Sequence, residues 1–229
     1  MSLIKRSAIL VFVTGVFFCS AIAWGQGNYK TATIGAPNAS GIPSAVVSAV
    51  GTEGIRFESS QGTPVCEVWW SKSIPMKANA GASGDVLYSG LTVGEFVGLI
   101  HFPPNSKDYR GQNIKQGYYT LRYALIPQDG NHMGVSNYRD FLLLIPVADD
   151  SNPSQVLDFN NLVKESRLAT GTGHPGVMML DPASQSAAFP SAVQDDQGNW
   201  ALDVKLDTQK GGQNQQLPFA VVLVGQYQG

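Results

Sequence analysis

The chain has 229 residues, with 15 basic and 17 acidic side chains, and only 14% of its residues are charged. That balance argues against a nucleic-acid partner, which needs a basic face. One cysteine, Cys66, lies beyond the first 25 residues, so an internal disulfide is excluded and the fold stands on its apolar core.

Residues 1–25 read as a secretory signal peptide. Lys5 and Arg6 form a charged head, and Ser7 to Ala23 is an apolar run of about 17 residues. Ala21-Ile22-Ala23, or Ala23-Trp24-Gly25, supplies the small residues of a cleavage site. An uncleaved anchor is the other reading, since the run sits at the lower edge of a spanning length. Cys19 as a lipid-attachment site would need a small residue before it, and Phe18 stands there. Cleavage predicts a periplasmic or extracellular protein with no transmembrane span. Removing Lys5 and Arg6 leaves 13 basic against 17 acidic residues, a mildly acidic mature chain.

Residues 26–43 are rich in Gly, Ala, Ser, Asn and Pro and read as a flexible leader. Asn38-Ala39-Ser40 in that stretch matches a glycosylation sequon. Residues 44–229 then form one β-rich domain. Ser44 to Val50 and Ile55 to Glu58 are short strand candidates, and Val65 to Lys72 is a strand bounded by Pro64 and Pro75. Glu95 to Phe102 is nearly continuous apolar sequence, which predicts a central strand. Tyr118 to Pro127 alternates, with Tyr119, Leu121, Tyr123 and Leu125 on one face; Tyr138 to Val147 is another buried run.

Asp158 to Ala169 breaks the pattern with Phe159, Leu162, Val163 and Leu168 at near-helical spacing. Asp158 is the expected N-cap, Leu157 and Leu162 a hydrophobic staple, and Gly171 and Gly173 the terminators. Near the end, Trp200, Leu202, Val204 and Leu206 alternate with Ala201, Asp203, Lys205 and Asp207, which predicts a strand buried on one face. Turns at Asp195 to Gly198 and Lys210 to Gly212 flank it, and Gln216 to Gly225 closes the sheet. The predicted fold is a mostly β, antiparallel β-sandwich or barrel-like domain with one short helical insertion.

The segments Gly117 to Pro127, Asp129 to Gly134 and Tyr138 to Leu143 together resemble a group of exported bacterial proteins of unknown function. The likeness spans about Glu95 to Pro146. The spacing of Gly117, Tyr119, Leu121 and Pro127 is similar to that of small secreted, uncharacterised β-sandwich domains. Both likenesses imply export and a β fold and supply no active site.

Three constellations could carry chemistry. His101, His132 and His174 could offer imidazoles to copper or zinc, with Met178 and Met179 close to His174 in sequence. Against this, no pair has the close spacing of a metal motif, and Met178 and Met179 also read as a core strand. A hydrolase would pair a nucleophile with His132 or His174, oriented by Asp129 or Asp140. No G-x-S-x-G elbow occurs, and Cys66 reads as an inert buried thiol.

The third constellation is aromatic. Trp69 and Trp70 are adjacent on a strand and so face opposite sides of the sheet; one is core and the other needs a cover, a partner or a ligand. With Asp129, His132, Tyr138 and Arg139 they make a candidate ligand-binding set. The expectation is an exported, non-catalytic binding or structural protein of the bacterial cell envelope, with an envelope protein or a glycan as partner. The alternatives are a periplasmic copper- or zinc-binding protein and a hydrolase.

Overall fold

The computed structural model describes residues 28–78, 84–129, 136, 138–184 and 188–225. Alternating and continuous apolar runs become β1 (Tyr29–Ile34), β2 (Gly54–Ser59), β3 (Pro64–Trp70), β4 (Ile74–Pro75) and β5 (Phe96–Phe102). They continue in β6 (Ser106–Lys107), β7 (Asn113–Ile114), β8 (Gly117–Leu125), β9 (Asp140–Pro146) and β10 (Val177–Asp181). The last three are β11 (Ser191–Gln194), β12 (Trp200–Lys210) and β13 (Gln213–Val224). Among the described residues two helices accompany them, α1 (Ser44–Ala49) and α2 (Phe159–Thr170).

The main sheet runs β1-β2-β3-β5-β8-β9-β10-β13-β12-β11, antiparallel throughout, while the short β4 adds in parallel to β12. Its ends curl toward each other. Thr31 Oγ1 donates to Pro190 O at 3.4 Å, and the rings of Tyr29 and Trp200 meet edge to face at 5.4 Å. The domain is therefore the expected barrel-like antiparallel β fold. Among the described residues no helix is long and apolar enough to cross a membrane.

Period-two alternation fixes which side chains face inward. Tyr119, Leu121 and Tyr123 of β8 point inside with Leu142, Leu144, Met178, Leu180 and Phe219, and the strand β12 adds Leu202, Val204 and Leu206. These side chains fill the interior. The β12–β13 hairpin closes through Gly211 and Gly212 at φ 58° and 79°. Two consecutive positive φ values are the two-residue turn that matches strand twist, and glycine adopts them without a steric cost.

The outer face is also covered. Over β3 and β5, the helix α1 buries Val46 against Trp69, Phe96 and Leu99, with Ile42 and Val50 flanking it. Over β9 and β10, the helix α2 buries Leu162 against Phe141, Leu143, Ile145 and Val177. Asp158 caps α2 as expected, its carboxylate accepting from Asn160 N and Asn161 N, and Gly171 ends it in the left-handed conformation. Such a cap is worth about 1 kcal/mol. Leu157 packs into the same outer cluster as Leu162, as a staple should.

Two expectations fail. The stretch read as a flexible leader contains β1, paired along its length with β2, and Tyr29 stacks on Phe57 at 5.4 Å. The ordered domain thus includes Tyr29 onward rather than starting at Ser44. The Gly- and Pro-rich composition of residues 35–43 masked the β-capable run Tyr29 to Ile34. Ser44 to Val50 is not a strand but the helix α1, with Val46 N and Val47 N bonded to Pro43 O. Its valines suggest β structure, yet the buried Ile42, Val46 and Val50 recur every fourth residue, which is helical spacing.

Between the two helical covers the outer face carries a buried ion pair. Arg122 of β8 is fully buried and places its guanidinium against the Asp150 carboxylate, with both bonds at 2.7 Å. Its remaining N–H groups donate to Gly94 O, Gln155 O and Asn152 O. All five guanidinium donors are used, and they tie the segment that leads into α2 down onto the sheet. Gly94, at φ 91°, lies so close to Leu157 that a Cβ there would fall 1.9 Å from Leu157 O.

Candidate functional site

Because α2 covers only part of the outer face of β8–β10, a cavity of about 350 Å³ remains beside it. Its floor is apolar, formed by Phe141, Val177 and Met179, with Phe159 and Val163 of α2 as one wall. Polar groups stand around this apolar ground: Tyr109, Arg110, Asp129, Arg167 and His174 all contribute to the lining. An apolar pocket with a few placed polar groups is the usual form of a small-molecule site.

The rim is held in shape by a polar network. Asp108 is almost fully buried, and its Oδ1 accepts from Arg110 N at 3.0 Å and Gln112 N at 2.8 Å. Its Oδ2 accepts from Gln112 Nε2 and, across to β10, from Val177 N. Gln112 Nε2 also donates to Pro175 O, and Gln112 Oε1 accepts from Thr172 Oγ1. The turn bearing Tyr109 and Arg110 is thereby fastened to the loop bearing His174. Burial pushes the Asp108 carboxyl above its ordinary pKa, and the N–H donors around it pull in the opposite direction.

The loop after α2 is fixed from the helix side as well. Ser166 is buried and bonds both ways to Gly176: its Oγ donates to Gly176 O and accepts from Gly176 N. Thr170 Oγ1 donates to His174 O at 2.8 Å. His174 itself is exposed at the cavity rim.

The sequence-nominated residues scatter. Asp129 and His174 both line the cavity, while His132 falls outside the described residues. Tyr138 is half-buried at the approach to β9, where its N–H donates to Ser136 Oγ. Arg139 donates from Nε to Ile126 O at 2.9 Å and lies 3.9 Å from Asp85, so it braces the start of β9.

Trp69 and Trp70 do face opposite sides; Trp69 is buried and Trp70 half-buried. Trp69 lies under α1, 2% exposed, with Nε1 donating to Gly35 O. Trp70 points inward against Phe219 at 5.7 Å, and its buried Nε1 has no hydrogen-bond partner among the described residues.

His101 sits apart from His174. Its Nδ1 is 3.4 Å from Glu67 Oε2, and its ring meets that of Tyr118 at 4.6 Å, tilted by 35°. Glu67 also receives Arg56 through Nε and one terminal nitrogen. Among the described residues, no group of three or more His, Cys, Asp or Glu side chains could hold a metal ion. Met179 reaches the cavity while Met178 packs inside, as alternation along β10 requires.

Two residues of the hydrolase reading, Asp140 and Cys66, have other work. Asp140 is fully buried, and its carboxylate accepts from Leu87 N, Tyr88 N and the Tyr123 hydroxyl at 2.6–2.9 Å. Cys66 is buried in the inner cluster, and burial pushes its thiol far above the usual range.

Arg110, Arg167, Asp108 and Gln112 were not nominated from sequence. The one local signal was Asp108-Tyr-Arg-Gly111, an Asp-to-Gly turn whose glycine has φ 77°. Neither a family model, a curated protein nor a solved structure matches the chain. The resemblance over Glu95 to Pro146 therefore rests on the quoted residues alone.

Proposed function

We propose that the mature protein is an exported, non-catalytic binding protein of the bacterial cell envelope, and that it binds a small molecule in the cavity beside α2. Residues 1–25 support export through their charged head, apolar run and small-residue end. The cavity carries the binding reading: about 350 Å³ of apolar-floored space, rimmed by polar side chains on turns that hydrogen bonds lock in place. A rim fixed before the ligand arrives lowers the ordering cost of binding.

The test is a thermal-shift screen of small amphiphiles on the protein purified from the periplasm, with Val163→Trp as the filled-cavity control. A ligand at about 100 times its Kd adds about 2.7 kcal/mol, which is roughly 5–10 °C for a domain of this size. Shifts seen in the natural chain and lost in the variant support the reading. A melting temperature indifferent to the whole screen, with Val163→Trp no different, overturns it. Export is checked on the same preparation: the mass should lack the first 23 to 25 residues, and a cytoplasmic protein retaining them refutes export.

A further inference from the structure

We propose that the cavity takes an amphipathic organic anion, its tail on Phe141, Val177 and Met179 and its anionic head between Arg110 and Arg167. The proposal rests on the binding reading above and names the ligand class.

Charge bookkeeping within the chain selects the anion. Beyond the signal there are five arginines: Arg56, Arg110, Arg122, Arg139 and Arg167. Three are engaged by carboxylates, Arg56 by Glu67, Arg122 by Asp150 and Arg139 by Asp85. The other two, Arg110 and Arg167, have no carboxylate partner among the described residues, and both line this one cavity. They reach it from different elements, Arg110 from the turn after β6 and Arg167 from the last turn of α2.

Among the described residues the one lining carboxylate is Asp129, and it has an interaction of its own. His174 adds an imidazole at the rim that can offer a further N–H donor. On a mature chain with more acidic than basic residues, this is a local excess of positive charge set against apolar ground. Guanidinium forks match the planar, multidentate oxygens of carboxylates and phosphates.

Size narrows the class. At about 30 Å³ for each water-sized group, the space of about 350 Å³ holds about a dozen non-hydrogen atoms. Decanoate is of that size. A full-length phospholipid or a glycan chain is larger than the cavity.

The experiment is isothermal titration of the mature protein with decanoate, decyl phosphate, 1-decanol and decylamine. Decanoate or decyl phosphate should bind at least about tenfold more tightly than 1-decanol, the effect of one charge-assisted contact, and decylamine should not exceed the alcohol. Whichever anion binds more tightly tells a carboxylate source from a phosphate source. Arg110→Gln and Arg167→Gln should each weaken the anion about tenfold and leave 1-decanol unchanged, with unaltered melting temperatures.

Equal binding of decanoate, decyl phosphate and 1-decanol, abolished by Val163→Trp, overturns the anion and leaves the cavity as a binding site. Preference for decylamine, or anion binding unmoved by both arginine variants, also overturns it. No binding of any probe overturns both this proposal and the reading beneath it.

Discussion

Arg122→Met tests how the outer face is held. The guanidinium makes five hydrogen bonds, two to the Asp150 carboxylate and one each to Gly94 O, Gln155 O and Asn152 O. Methionine keeps much of the volume and removes every donor. Asp150, whose side chain is 4% exposed, is then left with Thr120 Oγ1 as its remaining described partner. Breaking a buried pair from one side costs about 3–5 kcal/mol, because the other charge stays buried and unpaired. For a domain of this size that is roughly 6–20 °C of melting temperature.

Replacing both partners, Arg122→Met with Asp150→Leu, often recovers such a loss. Here the recovery should be incomplete, since three backbone carbonyls still lose their donor. Arg122→Lys should also fail, because one ammonium with three donors cannot span five acceptor contacts. Urea unfolding of the four proteins reads all of this. An Arg122→Lys variant within about 1 kcal/mol of the natural chain would refute the argument that the planar fork is what the site requires.

Two further predictions concern buried acids. Burial raises the Glu95 carboxyl above its ordinary pKa, with Arg122 and the Phe96 N–H opposing. A carboxyl raised in the folded state stabilises the fold when protonated, and that contribution is lost as pH climbs above about 4.5. Glu95→Gln should therefore gain stability relative to the natural chain between acid and neutral pH. A difference in melting temperature that stays flat across that range would contradict the sign. Asp140→Ala strands Leu87 N, Tyr88 N and the Tyr123 hydroxyl, and should cost on the order of 3 kcal/mol in urea unfolding, against about 1 for Tyr123→Phe. Equal losses would mean that the tyrosine contact alone matters.

What could be read from the sequence was what periodicity encodes. The inward faces of β8 and β12, the cap and staple of α2 and the glycine hairpin were all legible, because each depends on residues close in the chain. Composition misled where it outweighed pattern, as in β1 and α1. The site was legible only in part. Asp129 and His174 announced themselves by residue type, but Arg110 and Arg167 looked like ordinary surface charges. What distinguishes them is the absence of a carboxylate partner among the described residues, and pairing between strands and loops far apart in the chain, as of Arg122 with Asp150, is not a local property. Trp69 and Trp70 were read correctly as a split pair, yet the cover over Trp69 comes from α1, a stretch that reads as a strand, and from Gly35 and Ile42 in the segment that reads as a leader.

The placement of the cavity follows from how this fold spends its side chains. Adjacent strands fill much of the interior with Tyr119, Tyr123, Phe57, Phe102 and Phe219. The cavity beside α2 lies instead on the outer face, where each apolar stripe needs a cover. The helix α2 has 12 residues, about 18 Å of length, and its apolar side covers one band of β9 and β10. Beyond that band, apolar contact would close the gap if the next turn were free to collapse onto the sheet. It is not free: Asp108 holds the turn to Val177 N, and Gln112 holds it to Pro175 O and Thr172. Directional bonds of this kind fix a distance, whereas apolar packing would erase it. The buried Asp108 thus keeps an apolar floor uncovered, with Arg110 and Arg167, which have no carboxylate partner among the described residues, at its edge.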